Sequence, residues 1–507
     1  MAFSFLPTFT KPIHAPRNDE DFAPLVTFAH KRGLHYEIAS SIFYHKERID
    51  IPFLLFDRHR GIYLFDTVSW DAAMLRTFKA AAAPKHTKKA KDVNVDTAHR
   101  TLMLKLDEVQ NHQACEIVNF LYLPNLERAA YETLDPSFAA LLPPSRVIFA
   151  DDDEDAISQK LANALSYREH PVDLPSLLGA LYIQYTLLPG AMREGIRQLT
   201  PQQKQLLYRK LPRHSVIYGP YGSGKSSLVL LKAVYDKLRR PERSIAIIQP
   251  TLAACESMSA QLLQIIEHAV VHIDPTAIRI ATPQQICREH YIKVHKEPPL
   301  VDGNITDKMQ RRSFHISDVL FLDDAYLLDR RYLDYFRSHH KGELHLVLTD
   351  PEESRHDAAY PLEHGFRLPH SLRRYLEGAS SATTTEALQC LEGNAYIIVL
   401  NLLPHLLEAH APETIMIVTP DQGFAASLQE EITDFTGCLS TLLDAHKTLL
   451  NQDMEQLLIV PMDELSGLQR DHVVVIRNSE TVPESYRHAI GRAAVHAYVI
   501  SHTSESL

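Results

Sequence analysis

The 507-residue chain is poor in cysteine. Cys115, Cys255, Cys287, Cys390 and Cys438 are scattered and form no C-x-x-C pair. That pattern points to reduced thiols in a cytoplasmic protein and offers no zinc site. The chain also has no run of about 18 uninterrupted apolar residues, the length a membrane span requires. Its first residues, Met1 to Pro7, have no basic stretch ahead of a long apolar one. Neither a signal peptide nor a membrane partner is expected. Basic charge is not in excess either: Lys and Arg number 52 against 63 Asp and Glu, a net charge of −11. This argues against a wholly basic nucleic-acid coat but leaves room for a local basic groove. The 28 histidines are dispersed and read mostly as surface or satisfied core residues. With 45% hydrophobic and 23% charged residues the composition is that of a soluble globular protein. The length suits about three domains of ~150 residues each.

One stretch organises the chain. Gly219-Pro-Tyr-Gly-Ser-Gly-Lys225-Ser226 follows the apolar run 215–218 and opens into residues 227–235, which have helical spacing. Strand, glycine-rich loop and helix, spelled G-x-x-x-x-G-K-[ST], make a phosphate cradle. Gly219, Gly222 and Gly224, with Ser223 between them, let backbone N–H groups curl around phosphate oxygens. The helix that begins near Ser227 adds its partial positive charge. Lys225 would reach the β- and γ-phosphates, and Ser226 would offer a hydroxyl to Mg²⁺. A chance glycine turn would have no reason to sit between a strand and a helix.

Toward the N-terminus, two short strands are expected over residues 50–56 and 61–65, joined by a tight turn at Asp57-Arg-His-Arg60. Residues 22–32 have helical spacing, and residues 36–44 read as another strand. Asp50 opens one strand and Asp66 closes the next, with Thr67, Val68 and Trp70 following. This order resembles the nuclease-related domain (NERD), a family with a restriction-endonuclease-like core in which an Asp and a later Glu-x-Lys hold a metal ion. The resemblance makes Asp50 and Asp66 candidate metal ligands. The departure is Val68, which cannot supply the lysine that polarises the attacking water or stabilises the phosphorane charge. A structural or DNA-docking relic is expected rather than a working nuclease, with ordinary strand-end carboxylates as the plainer alternative. Residues 79–91 are Ala-rich and basic (Lys79, Lys85, Lys88, Lys89, Lys91) and read as an exposed linker or loop. Residues 115–124 and 146–150 read as strands. Asp151-Asp-Asp-Glu-Asp155 reads as the cap of a helix over 156–165, because a helix N-terminus favours carboxylates.

The second half carries an ordered series of motifs. Gln203, with Gln202 as second choice, precedes the phosphate loop by about one helix. The stretch 197–203 resembles a motif of superfamily 1 helicases, and the resemblance implies an amide that donates to N7 of adenine and accepts from N6. Residues 244–251 are an apolar strand ending in Gln249-Pro-Thr, and residues 278–287 form a similar unit. Asp318-Val-Leu-Phe-Leu-Asp323-Asp324 is a buried strand with Asp323 emerging at its C-terminal end to hold Mg²⁺. Strand 342–349 leads to Asp350 and Glu353. Leu368-Pro-His-Ser-Leu-Arg373, Gln469 on the way to Asp471, and Tyr486-Arg-His-Ala-Ile-Gly-Arg492-Ala follow in that order.

This series resembles the motor of superfamily 1 helicases of the UvrD/Rep type and covers residues 198–501. The resemblance implies ATP and Mg²⁺ as cofactors, bound between two RecA-like lobes. Lys225, Asp323 and Asp324 would come from the first lobe, with Asp350 and Glu353 after its later strand. Arg373, Gln469 and Arg492 would come from the second, Arg492 as the finger that neutralises the transferring phosphoryl group. The chain departs from the family at three places. Asp324 stands for a longer Glu, and a misplacement of about 1 Å can cost ~10²-fold. Glu353 stands for the Gln that senses the γ-phosphate, and Gln469 for the Glu that binds ribose. The expected class is therefore α/β: two RecA-like P-loop lobes (196–365 and 366–507) preceded by a restriction-endonuclease-like, NERD-like α/β domain (1–110) and a connecting segment (111–195). The expected function is an ATP-dependent DNA translocase or helicase on single-stranded DNA, by analogy in bacterial DNA repair or antiphage defence, with a protein partner supplying accessory modules. The alternatives are an ATP-binding regulatory subunit with weak hydrolysis and an active nuclease–helicase.

Overall fold

The computed structural model describes residues 22–44, 47–77, 95–108, 115–182, 185–187, 196–269, 271–296, 306, 309, 311, 315–349, 358–363, 365, 369, 372, 375–376, 387–443, 456–465, 468–478 and 483–503. The chain divides into two compact units: Met1–Tyr185 with Glu267–His272, and Thr186–Ile266 with Ile273–Leu507.

The first unit is built on a five-stranded sheet of β1 (His35–Tyr44), β2 (Glu47–Asp57), β3 (Gly61–Thr67), β4 (Ile117–Leu123) and β5 (Val147–Phe149), in that order. β1, β2 and β3 are antiparallel neighbours, whereas β3, β4 and β5 run parallel. The expected turn after β2 is present. The Asp57 carboxylate accepts from the backbone N–H of His59 (2.8 Å), and Asp57 pairs with Gly61. Gly61 has φ +144°, and a Cβ there would lie 2.3 Å from the carbonyl oxygen of Glu116, so no larger residue fits. One sheet face carries Phe53, Leu55, Tyr63, Phe65 and Phe120 against helices α1 (Ala23–Arg32) and α3 (Glu154–Ala164). The other carries Leu121, Leu123 and Phe149 in a cluster with Trp70. Helix α2 (Val95–Glu108) lies between β3 and β4 in the chain.

The expected boundary at residue 110 falls inside this unit. β4 and β5 complete its sheet by parallel pairing onto β3, so residues 115–182 belong to the domain and are not a connector. The acidic run does two jobs. Asp153 caps α3 by accepting from the N–H of Ala156 (2.8 Å). The buried Asp152 instead takes Arg128 (2.7 Å), Lys160 and the N–H of Phe149 (2.8 Å). The basic segment 79–91 lies outside the described residues.

The second unit holds two parallel six-stranded lobes. In the first lobe the order is β8 (Ile278–Ala281), β7 (Ile245–Ile248), β9 (Val319–Leu322), β10 (Glu343–Leu348), β6 (His214–Tyr218), β11 (Ala358–Pro361). In the second it is β12 (Leu388–Gly393), β17 (Ala493–His502), β16 (Arg470–Arg477), β13 (Ile415–Thr419), β15 (Leu457–Pro461), β14 (Ser440–Leu442). The central strands read Ile-Ala-Ile-Ile, Val-Leu-Phe-Leu and Leu-Leu-Ile-Val-Pro and are buried throughout, as parallel strands covered on both faces require. The expected α/β class with two RecA-like lobes is what the chain adopts. Parallel strands bring their C-terminal ends to one edge, and described residues just after β6, β7, β9 and β10 line one cleft there. Among the described residues no helix is long and apolar enough to cross a membrane. The five cysteines are free thiols.

Two buried histidines tie stability to pH. His472 of β16 stacks on His410 (ring centroids 3.7 Å apart) and faces His496 (5.6 Å). Burial, helped by both neighbours, pulls its pKa down to about 4. Burial, His339 and Lys293 do the same to His290 in the first lobe, again to about 4. A histidine whose folded pKa lies below its unfolded value of ~6.5 takes up protons more readily when unfolded. Its stabilisation is complete above pH ~6.5 and is lost as pH falls toward 4. Melting temperature measured between pH 7.5 and 4 should therefore decline. His472→Phe keeps a ring in the stack and should remove part of that decline; an unchanged slope would show that His472 does not contribute.

Candidate functional site

The loop between β6 and helix α5 (Lys225–Arg239) has the cradle form its spelling requires. Gly222 (φ +73°) and Gly224 (φ +81°) adopt left-handed backbone, and the N–H of Ser223 closes a turn onto Pro220 O (3.2 Å). α5 starts at Lys225, so its N-terminal dipole is aimed at the loop. The Lys225 ammonium donates to the carbonyls of Gly219 (2.6 Å) and Pro220 (3.0 Å).

Helix α4 (Pro201–Tyr208) is pinned at both ends, to this loop at its start and to α5 at its finish. Thr200 and Gln203 form a capping box at its start. The Gln203 amide oxygen accepts from the N–H of Thr200 (2.9 Å), while its amide nitrogen donates to the carbonyl of Ser223 in the loop (2.8 Å). At its end the buried Lys232 of α5 donates to the carbonyls of Leu206, Leu207 and Arg209 (3.3, 3.2 and 2.8 Å). Gln203, expected to read adenine, is thus first a strut under the phosphate loop. Gly219 is likewise structural, because a Cβ there would lie 2.4 Å from the carbonyl oxygen of Leu362.

Asp323 and Asp324 follow β9 directly, and both are buried. Burial, reinforced by its neighbour Asp324, raises the pKa of Asp323, while Gln249, Ser226 and Lys225 pull it the other way. Asp323 Oδ2 accepts from the Gln249 amide (2.8 Å). Asp324 has a left-handed backbone (φ +45°) that turns its carboxylate toward the second lobe. There Arg492, in the turn just before β17, donates to its Oδ2 (2.9 Å). Burial alone would raise the Asp324 carboxyl, but Arg492 outweighs it and holds it below the ordinary carboxylate range.

Arg492 is itself positioned. Its guanidinium donates to His488 Nε2 (2.9 and 3.3 Å) on helix α7 (Pro483–Ile490), which makes Nε2 the acceptor. Nδ1 then carries the proton toward the Tyr326 hydroxyl (2.8 Å). The Tyr221 ring of the loop packs edge-on to His488 (5.7 Å) and covers Gly491.

One open, mostly polar cleft runs along the phosphate loop and past Asp323, Asp324 and Arg492. Of the residues expected from the sequence, it is lined by Gly222, Ser223, Gly224, Lys225, Ser226, Ser227, Asp323, Asp324, Gln469 and Arg492. Asp350, Glu353 and Arg373 lie outside the described residues. Tyr221, Gln249, Tyr326 and His488 were not anticipated; only the Gln at the end of an otherwise apolar strand gave a sequence signal. The donor set suits a nucleotide-bound magnesium ion. Asp323 Oδ1 and Gln249 Oε1 are buried oxygens without a hydrogen-bond partner, and Ser226 lines the same cleft. Magnesium takes oxygen ligands and keeps several waters.

Asp50 and Asp66 are in the other unit. Asp50 lies within β2, not at its start, because β1 and β2 pair out to Tyr44 and Glu47. Its carboxylate accepts from the Ser41 hydroxyl (2.6 Å), and that of Asp66 from the N–H of Thr67 (2.9 Å). Strand alternation puts both on the face opposite Phe53 and Phe65. Among the described residues no three His, Cys, Asp or Glu side chains are grouped to hold a metal ion.

No protein-family model and no curated protein matches the chain. Solved structures do. A Dbp5 variant from S. cerevisiae bound to RNA and ADP–BeF3 is 14% identical with a TM-score of 0.40, over 62% of this chain and 86% of that one. The DEAD-box helicase Mss116 bound to single-stranded RNA and UDP–BeF is 14% identical with a TM-score of 0.42, over 65% and 72%. Mss116p bound to single-stranded RNA and AMP-PNP is 15% identical with a TM-score of 0.41, over 60% and 69%.

The contact of Tyr221 with Gly491 is testable. A Cβ on residue 491 would lie 2.9 Å from Tyr221 Cγ, near the root of the ring, where the side chain cannot bend away. Gly491→Ala should destabilise the second unit by about 1–3 kcal/mol in thermal melts. Adding Tyr221→Ala, which removes Cγ, should restore part of that loss, whereas strict additivity would mean the two residues do not touch.

Proposed function

We propose that the chain is an ATP-dependent nucleic-acid translocase acting on single-stranded DNA. The observation that carries this reading is the single cleft in which Lys225, Ser226 and Asp323 of one parallel lobe meet Arg492 of the other. The loop N–H groups and the start of α5 would hold the β- and γ-phosphates, with Lys225 exchanging the Gly219 carbonyl for a phosphate oxygen. Ser226 and Asp323 would hold the magnesium ion, which neutralises charge on the phosphates. Arg492 would leave Asp324 for the γ-phosphoryl oxygens, freeing that carboxylate to accept a hydrogen bond from the attacking water. Water adds to phosphorus as the bond to the ADP oxygen breaks, giving ADP, phosphate and a proton. Because Arg492 changes partner with the nucleotide, hydrolysis would be coupled to the fit between the lobes and so to a grip on a strand. Gln469, with Asp350, Glu353 and Arg373, would complete the nucleotide contacts. The first unit is read as a nuclease-related docking domain, with Asp50 and Asp66 as remnants of a metal site.

The Arg492–Asp324 pair also favours a second reading, an ATP-binding regulatory subunit with weak hydrolysis, because the finger and the water-orienting carboxylate neutralise each other. Steady-state ATPase with and without single-stranded DNA separates the two. The motor reading expects clear stimulation that disappears in Lys225→Ala, with single-stranded RNA stimulating less. Arg492→Ala should slow hydrolysis by about 10³-fold while ATP still binds. Tight ATP binding with near-zero hydrolysis, unmoved by DNA or RNA, would sink the motor and leave the regulatory subunit.

A further inference from the structure

Gln249 stands where the sequence gives no reason for a polar side chain. It ends the apolar strand β7, its backbone N–H continues the sheet to Ala281 O (3.0 Å), and its side chain is 2% exposed. Both hydrogens of its amide are engaged. One goes to Asp323 Oδ2 (2.8 Å) and the other to the sulfur of Met258 on helix α6 (Leu252–His268) (3.2 Å). This fixes which way the amide faces, since the reverse orientation would set its oxygen against a carboxylate. The orientation leaves Oε1 buried and without a partner. Asp323 Oδ1 is in the same condition. A buried amide oxygen left unsatisfied is unfavourable, and an apolar side chain of similar size would cap the strand without that penalty.

The two oxygens belong to one arrangement. By taking Oδ2, Gln249 holds the Asp323 carboxylate in a single orientation and leaves it one oxygen to offer. That oxygen, Gln249 Oε1 and the Ser226 hydroxyl all belong to residues lining the cleft beside the phosphate loop. A hard, small divalent cation suits a one-oxygen carboxylate, a hydroxyl and a neutral amide, with waters filling the remaining positions. We infer that Gln249 is a positioning residue of the cation site: it orients Asp323 and supplies a second neutral oxygen to the shell around the ion. The inference rests on the nucleotide-binding reading above and adds to it a residue specific to this strand end. Groups that orient metal ligands typically change metal affinity by about 10–100-fold when removed.

The test uses the full-length chain and ADP as probe, so that no turnover is involved. ADP affinity is measured by calorimetry in Mg²⁺ and again in EDTA, and the ratio is the gain due to the ion. In wild type the gain should be large. In Gln249→Leu it should shrink about 10-fold, with the EDTA affinity and the melting temperature little changed. Met258→Leu removes only the sulfur contact and should keep the full gain. Should the leucine variant fold poorly, Gln249→Asn, one methylene shorter, is expected to lose the gain as well. An undiminished gain in a folded Gln249 variant would overturn the inference while leaving nucleotide binding intact. Failure of wild type to bind ADP in either condition would instead overturn the nucleotide reading, and this inference with it.

Discussion

Two adjacent carboxylates with almost no access to water set the terms for this site. Asp323 and Asp324 cannot both carry charge there without separate compensation. The chain supplies it from opposite directions. Asp324 is turned by its left-handed backbone toward Arg492 of the second lobe. Asp323 stays with the first lobe, beside the amide of Gln249 and the start of α5. The backbone twist at residue 324 is what separates the two partners. Without it both side chains would compete for one cation, and the second lobe would have no charged anchor in the cleft.

The anchor in turn needs a rigid seat. Arg492 is held by a histidine whose proton must be on the far nitrogen, and that nitrogen faces a tyrosine from the first lobe. Tyr221 of the loop closes over the backbone of Gly491. Three side chains from two lobes therefore fix one guanidinium. Such preorganisation is where a charge aimed at a developing oxyanion has most effect.

Much of this was legible in the chain. Apolar runs such as residues 319–322 could only be covered parallel strands, and the glycine-rich loop gave the one place where strand, turn and helix must meet. The order of motifs assigned Asp323 and Arg492 to one site, and both line the same cleft. What could not be read were the pairings across long stretches of chain: Tyr221 with Gly491, Tyr326 with His488, Gln249 with Asp323. Nothing local encodes them, since the two partners of each pair lie 74 to 270 residues apart in the chain. The capping box of Gln203 could not be told from a base-reading amide either, because its spacing before the loop suits both. In the first unit, the parallel strands β4 and β5 lie beyond an intervening helix, so their membership of the sheet could not be seen from the hairpin ahead of them.

Helix α4 has a mechanical meaning. It is bolted at its first turn to the carbonyl of Ser223 and at its last to the ammonium of Lys232, both belonging to the loop-and-helix unit that would carry phosphate. A short rod fixed at two points cannot pivot; it can only push or pull its mounting. Tension on the chain entering at Thr200 would therefore arrive at the phosphate loop undamped, and a change in the loop would travel outward along the same rod. The start of α4 and the phosphate loop would thus move as one piece.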